Sequence, residues 1–201
     1  LLNNCKIFPS HQRDQYIPKI GNVYEDSIFE KICNVKGESL LSLLNTQNKQ
    51  SSVYVNMRAC FWMKAFSFNP GSKEYKEFGC SSEMRPYLLA ILNSNLFFLY
   101  WTIVSDCWHI TNKELSEFFV PTNGVCLDMF RILTSKLERK LERTKKYIGS
   151  VQTQYEYKHR ECKPEIDAID DALQEIYGLT DDEVAFLKEY KLKYRMSNGT
   201  I

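Results

Sequence analysis

The residues best suited to binding chemistry lie in one short polar loop. It follows an apolar stretch and contains Ser105, Asp106, Cys107, Trp108 and His109. Its indole can stack on a planar group, while its hydroxyl and imidazole can form hydrogen bonds. Cys107 and His109 could ligate zinc, but a tetrahedral site needs further ligands, and no second pair has suitable spacing. Because no nucleophile is placed beside a general base, the loop indicates recognition rather than hydrolysis.

Two predicted helices hold this loop in place. The stretch Leu88–Trp101 is almost wholly apolar, interrupted only by Asn-Ser-Asn, and predicts a buried helix. The stretch Asn112–Val120 predicts a second, short helix that ends at Pro121. An apolar helix that leads into a polar, aromatic loop can hold a recognition surface rigidly against a core.

A second candidate surface comes from the alternation in Ser52–Phe68, which predicts one long bent strand or a hairpin. One face is apolar, and Arg58, Trp62 and Lys64 share the opposite face. The turn residues Asn-Pro-Gly-Ser follow, and Glu74–Phe78 is a plausible return strand.

The other segments predict helices. Asp26–Val35 and Ser39–Leu44 have helical spacing of apolar residues. Leu127–Tyr155 follows a heptad of about four repeats, which predicts one long helix. An amphipathic helix then ends at Gly178, and a capping box starting at Thr180 predicts a last helix. Such helices space or dock other elements and have no chemistry of their own.

Charge is distributed unevenly along the chain, although the net charge is only +1. Residues 131–160 contain nine Lys or Arg against three Asp or Glu, a net charge of +6. Residues 161–189 contain two basic and ten acidic residues, a net charge of −8. A global electrostatic argument for nucleic-acid binding therefore fails, and only a local one remains. We expect the basic run to pair with the acidic segment inside the molecule.

Seven cysteines, an odd number without a C-x-x-C pair, favour a reduced cytoplasmic protein with buried thiols. The longest apolar run is interrupted and lacks a basic flank, so we expect no membrane span and no membrane partner. The chain starts Leu-Leu-Asn-Asn without an initiator Met, which suggests a piece of a longer protein; processing is the alternative.

Several blocks of this sequence resemble one family. Leu-Leu-Ala-Ile-Leu-Asn-Ser-Asn-Leu-Phe-Phe is followed by Ser-Asp-Cys-Trp-His-Ile-Thr, a short helix and Phe-Phe-Val-Pro. The order resembles the target-recognition domains of DNA adenine methyltransferases, in particular TaqI-like enzymes and the fused type IIG restriction-modification proteins. The segment Ala59–Cys80 and the ending from Lys163-Pro164 to Met196 also resemble this family.

The resemblance implies double-stranded DNA as a partner, together with an N-terminal methyltransferase domain of the same polypeptide. That domain would bind S-adenosylmethionine; we expect no cofactor and no metal in this chain. The Asn-Pro-Pro-Tyr motif that holds a flipped adenine is missing, and Asn69-Pro70-Gly71 is a turn. No G-x-G turn occurs, and Asp167, Asp170 and Asp171 lack a nuclease pattern. We therefore expect no catalytic residue and no enzyme activity in this part of the protein.

Recognition of DNA divides into contacts to base edges, which specify, and contacts to phosphates, which position. The expected base contacts are Arg58, Trp62, Lys64, Ser105, Trp108, His109 and Thr111. The expected phosphate contacts are Lys73, Lys76 and Lys113. For each single residue a structural role is an alternative: Trp108 could pack on its helix, His109 could cap the loop, and the lysines could be ordinary surface residues.

The expected fold is α+β, with a small mixed or antiparallel sheet and packed helices like a target-recognition domain. The expected division is a linker or docking segment at 1–25, the recognition domain at 26–125, and a helical spacer and tail at 126–201. A rival hypothesis is a protein-interaction module that uses the heptad helix and the acidic tail to assemble with a partner, without base contacts.

Overall fold

The computed structural model describes residues 17–47, 49–59 and 61–196. The chain is α+β: small antiparallel sheets pack against helices, one of which is long. Most of the expected linker at 1–25 lies outside the described residues. The first helix, α1, spans Val23–Asn34, and the side chain of Asn22 caps it by accepting hydrogen bonds from two backbone amides.

A second small unit follows α1. Strand β1 (Glu38–Ser39) leads into the short helix α2 (Leu40–Leu44), as the sequence predicts for this helix. Strand β1 pairs antiparallel with β5 (Phe119–Val120), which follows α5 (Asn112–Glu117). This pairing brings the chain segment after the polar loop back to the start of the fold.

The main sheet contains β2 (Ser51–Asn56), β3 (Ala65–Phe66) and β4 (Tyr75–Cys80) in the order β3-β2-β4. Both pairings are antiparallel. Of the two interpretations of Ser52–Phe68, the hairpin is therefore confirmed, and so is the return strand. Strand β2 ends at Asn56, however, and residues 57–59 and 61–64 form no strand, so the alternation of faces does not continue through Trp62.

The apolar stretch forms two helices instead of the single one predicted. Helix α3 (Arg85–Asn93) and helix α4 (Asn95–Val104) meet at a bend of 60°. Ser94 causes the break because its hydroxyl accepts a hydrogen bond from the Phe97 amide and starts a new helix. Among the described residues no single helix is long and apolar enough to cross a membrane. The bent pair of α3 and α4 reaches the length and hydropathy of a membrane span only when the two helices are counted together, and it is buried in the core.

Helix α6 spans Leu127–Thr144, so the expectation of one helix to Tyr155 is wrong. Its apolar seam is buried as the heptad predicts, at Phe130, Thr134, Leu137 and Leu141. The chain then turns back as a hairpin of β6 (Lys146–Tyr147) and β7 (Tyr155–Glu156). Gly149 permits the reversal with a φ of 61°.

The end of the described chain is helical. A 3₁₀ turn (His159–Cys162) leads into α7 (Lys163–Tyr177), followed by α8 (Asp181–Glu189) and α9 (Leu192–Arg195). The predicted Gly178 cap and the Thr180 capping box are both present. Both predictions are confirmed. Such caps depend on residues only a few positions apart, so the sequence alone can show them.

Residues from both sides of the expected boundary at 125/126 contribute to one hydrophobic core. Phe130 on α6 packs against Tyr87 on α3, with ring centroids 4.7 Å apart. Tyr177 on α7 donates a hydrogen bond to the carbonyl of Phe119 at 3.0 Å. The helical part therefore supports the sheet part directly, while the division into domains stays a prediction.

The expected pairing of the basic run with the acidic segment occurs at Lys140, which contacts Glu165 at 2.9 Å and joins α6 to α7. Other basic residues of the run bond within their own helix: Lys145 to Glu142, and Arg139 to the Ser135 carbonyl. The outer face of α6 is thus largely a solvated helix surface.

The thiols follow the prediction only in part. Cys80 and Cys162 are buried and Cys33 is half-buried, but Cys107 and Cys126 are exposed. Cys5 and Cys60 lie outside the described residues. No cluster of three or more His, Cys, Asp or Glu side chains suited to a metal occurs in the described ranges, including around Cys107 and His109.

Candidate nucleic-acid interface

The polar loop after α4 is rigidly held by its own side chains. The Asp106 carboxylate accepts hydrogen bonds from the backbone amides of Trp108 (2.8 Å) and His109 (3.0 Å). These bonds, that of His109 first, lower the pKa of Asp106 below its ordinary value. Ser105 Oγ accepts from the amide of Cys107, which adopts a left-handed conformation with a φ of 61°. The tight turn aims the two ring side chains outward.

Two further bonds fix the loop to the rest of the fold. The indole of Trp101 donates to the carbonyl of His109 at 2.9 Å, and the amide of Ile110 donates to the carbonyl of Met57 at 2.9 Å. Ile110 itself is buried. The loop after α4 is therefore pinned to the end of β2, which places Trp108 and Arg58 side by side although they are 50 positions apart.

We call the exposed group of Arg58, Glu74, Trp108 and His109 the Arg58–Trp108 surface. The Arg58 guanidinium carbon lies 5.2 Å from the centre of the Trp108 ring, within the range of a cation–π contact. About half of each side chain is exposed. The ion pair between Arg58 and Glu74 is long, at 3.5 Å, and exposed, so it contributes little and breaks at small cost. The cation is held in place but stays available.

Lys76 lies next to this surface. Lys76 is the second residue of β4, opposite Val55 of β2, and follows Glu74 of the Arg58–Trp108 surface by two positions. Its side chain is exposed, with the ammonium 4.8 Å from the centre of the Phe78 ring. Lys73 is also exposed, in the turn before β4, where its backbone amide donates to the Gln152 carbonyl at 3.1 Å.

Lys64 lines a different feature from Arg58, although both residues bond to Asn56 through their backbones. Lys64 precedes β3 and lines a cleft between the main sheet and the β6–β7 hairpin. It also lies close to the buried His159, whose pKa falls to about 3, mainly through burial and secondly through the charge of Lys64. The shared exposed face of Arg58, Trp62 and Lys64 that alternation predicts fails at Trp62, which is buried.

Trp62 is buried, not part of an exposed face. Its side chain is 9% exposed, and the Arg195 guanidinium stacks on its ring at 3.9 Å. The indole donates to the Arg195 carbonyl at 3.3 Å. The strand ends before Trp62, so its side chain turns inward. As a base contact Trp62 is corrected to a core residue.

Ser105 and Thr111 have structural roles in the polar loop and at the start of α5. Ser105 is 7% exposed, and its carbonyl accepts from Lys19. Thr111 caps α5 in a reciprocal capping box with Glu114. Lys113 follows on the first turn of α5 and is half-exposed. Of the seven residues expected to contact bases, Arg58, Trp108 and His109 are brought together and exposed.

The sequence prediction missed the β6–β7 hairpin, because the heptad periodicity assigned these residues to one long helix. The hairpin carries Tyr147, Ile148 and Val151 on its exposed side, with Val151 93% exposed. The glycine at 149 was the signal that could have shown the turn. Comparison of the chain with known proteins finds no matching family model, curated protein or solved structure.

Proposed function

We propose that this chain recognises double-stranded DNA and sets the target site for a DNA adenine methyltransferase of a restriction-modification system. The catalytic domain, with its S-adenosylmethionine, would be a separate part of the same polypeptide. The proposal rests on the resemblance of the sequence blocks and on one observation: an arginine and a tryptophan lie exposed, side by side, on a surface pinned by backbone hydrogen bonds.

The chemistry of the Arg58–Trp108 surface fits base reading. A guanidinium is the usual bidentate partner of guanine in the major groove, and the planar contact with Trp108 orders it before binding. His109 adds a hydrogen-bonding group beside it. Lys76, two positions after Glu74, would contact a phosphate and so fix the register of the duplex. An enzyme that acts on a flipped base needs the rest of the duplex held in this way.

The rival hypothesis of an assembly module depends on a different part of the chain. It assigned docking to the heptad helix, but the seam of α6 packs against α3 and α7 within the chain. That seam is not available to a partner without opening the core. The exposed tip of the β6–β7 hairpin is the feature that still favours a protein partner.

Selection of duplexes from a random pool tests the proposal. The chain should enrich one sequence, and Arg58→Ala should lower the preference for one base pair of that site about 10- to 100-fold, since a bidentate contact contributes about 1–3 kcal/mol. The matched control is Lys188→Ala, which removes the same charge from an ion pair with Asp171 on another face. An unchanged selected sequence in Arg58→Ala would refute a base-reading role for this surface.

Phosphate contact by Lys76 predicts a different signature. Lys76→Met should weaken binding to all sequences about equally and reduce the slope of log K against log salt by about one, because one fewer counterion is released. Binding isotherms of the selected duplex at several salt concentrations measure this slope. If Lys76→Met changes the selected sequence and leaves the slope alone, Lys76 reads bases and not phosphate.

A further inference from the structure

A walled cleft lies between the main sheet and the β6–β7 hairpin; it adjoins the Arg58–Trp108 surface and shares Glu74 with it. Its volume is about 280 Å³, near the lower limit for small-molecule sites. Three bonds hold its two sides together. These are Ser72 to Thr153 through their hydroxyls (2.9 Å), the Lys73 amide to the Gln152 carbonyl, and the Gln154 amide to the Gly71 carbonyl.

The walls of the cleft are aromatic. Tyr75, Tyr155 and Tyr157 line it. Burial raises the pKa values of Tyr75 and Tyr157, so both rings stay neutral phenols at physiological pH. Phe66 supports two of these rings from below, with centroids 4.6 Å from Tyr157 and 5.7 Å from Tyr75. Rigid aromatic walls suit a flat ring of the ligand.

The polar groups of the cleft can serve the edge of such a ring. Asn56 lines it and is 5% exposed. Its side-chain oxygen Oδ1 accepts a hydrogen bond from the Arg58 backbone amide at 2.8 Å, and the same side chain also forms a hydrogen bond with Tyr75. An amide has two donor hydrogens and two acceptor lone pairs, so one donor and one acceptor are left over. The ammonium of Lys64 adds a further donor.

The charge balance of the lining argues against a phosphate ligand. Lys64 is the cation among the residues that line the cleft, whereas Glu74 and Glu156 both contribute carboxylates. Behind the lining, Arg58 pairs with Glu74, and the Lys145 ammonium lies 4.4 Å from the centre of the Tyr155 ring. A phosphate would meet two carboxylates and one ammonium in the lining, whereas a neutral heteroaromatic ring would not be repelled by the carboxylates. We propose that the cleft binds a single nucleobase, stacked against the tyrosine walls, with its edge on Asn56 and Lys64.

Such a base has two sources: a free nucleoside, or an unpaired base of a nucleic-acid strand. The inference goes beyond the proposed function and does not depend on it, since a chain that selects no duplex could still bind a base here. Conversely, sequence selection by Arg58 could occur with an empty cleft. The experiments for the two proposals therefore fail separately.

Titration of the full chain with the four deoxynucleosides, followed by amide chemical shifts in NMR, tests the cleft. Shifts should concentrate at Asn56, Lys64, residues 70–75 and residues 148–157, and a deoxynucleoside should bind at least as tightly as its 5′-monophosphate. Tyr155→Ala should weaken binding about tenfold through loss of stacking, while Tyr155→Phe keeps the ring and should bind within about twofold of the original chain.

Lys64→Met gives a second variant that leaves the hairpin unchanged, and it should also weaken binding about tenfold. A short single-stranded oligonucleotide and its copy with every base removed identify the source. Tighter binding of the intact oligonucleotide than of nucleosides, lost with the abasic copy, assigns the site to a strand; equal binding of both oligonucleotides assigns it to free nucleosides. The proposal is overturned if no nucleoside or oligonucleotide shifts these residues, or if monophosphates bind more tightly than nucleosides.

Discussion

Replacing Asp170 by alanine should lower the free energy of unfolding by about 2–4 kcal/mol, because two buried donors lose their acceptor. Asp170 lies on the buried face of α7 and is 0% exposed. Its carboxylate accepts from the side-chain amide of Asn95 at 2.5 Å and from the backbone amide of Leu96 at 3.2 Å. Leu96 is in the first turn of α4, whose amides have no partner within the helix.

The position of Asp170 explains how the tail supports the interface. Its carboxylate meets the positive end of α4 just after the bend at Ser94. Helix α4 leads directly into the polar loop that carries Trp108 and His109. Loss of Asp170 should therefore loosen both the α3–α4 bend and the loop at the far end of α4.

The neighbour Asp171 is a matched control. It lies on the same helix, is 56% exposed and pairs with Lys188 on the surface. Asp171→Ala should change the free energy of unfolding by no more than about 1 kcal/mol, as for other exposed ion pairs. Urea denaturation of the original chain and both variants measures the difference. Equal losses from Asp170→Ala and Asp171→Ala would contradict the capping role.

The stability contribution of Asp170 should also depend on pH. Burial raises its pKa to about 7, against about 4 for an unfolded chain, although the bonds from Asn95 and Leu96 oppose this rise. Between these two values the folded state keeps a proton that the unfolded state has released. Stability from this group therefore decreases as pH rises from about 4 to about 7.

Asp170→Asn cannot titrate, so comparison with it isolates this effect. As pH rises across that window, the unfolding free energy of the original chain should decrease relative to that of Asp170→Asn. Above the window the difference between the two should be constant. A difference that stays constant from about pH 4 to 8 would show that Asp170 titrates normally in the folded protein.

Local signals in the sequence predict much of this fold for a physical reason. The Gly178 cap, the Thr180 capping box and the apolar seam of α6 depend on residues within one or two turns of each other. The energies of the two caps are local; the burial of the seam needs α3 and α7, but its spacing can be read from the chain alone. The short loop that carries Trp108 was likewise visible because a polar segment between apolar helices has to lie at the surface.

The errors arise where a distant contact decides between two local solutions. Ile148, Val151 and Tyr155 continue the heptad by position, yet the chain folds back at Gly149 and bonds to the turn at Ser72. Periodicity cannot register that pairing, which connects segments about 80 positions apart. Alternation failed for Trp62 in the same way, since the strand ends at Asn56 and the indole turns to meet Arg195.

The Arg195 contact predicts the second large effect: Arg195→Ala should destabilise the fold by about 3 kcal/mol, since buried stacking and directed hydrogen bonds are lost together. The guanidinium lies between the rings of Trp62 and Phe98, at 3.9 and 4.4 Å from their centres. Its Nε donates to the Phe61 carbonyl at 2.8 Å and its Nη1 to the Tyr190 carbonyl at 3.3 Å.

Geometry makes lysine a poor substitute for Arg195. A flat guanidinium fills the gap between two rings and still donates along its edge, whereas an ammonium cannot do both. Burial lowers the pKa of Arg195 to about 10, opposed by the charges of Asp170 and Asp167, so the group stays charged near neutral pH. A lysine in this site would be desolvated without the same bonds. We expect Arg195→Lys to recover less than half of the loss.

Hydrogen exchange distinguishes local fastening of the loop after β2 by Arg195 from stabilisation of the core as a whole. Arg195 fastens Phe61 and Trp62, in the loop after β2 that also carries Arg58, to the last described helix. Arg195→Lys should speed exchange in that loop more than in α6, and Lys193→Ala, an exposed change on the same helix, should leave both unaltered. If exchange in the loop stays slow while unfolding is easier, Arg195 stabilises the core alone, and the geometry of the Arg58–Trp108 surface does not depend on the tail.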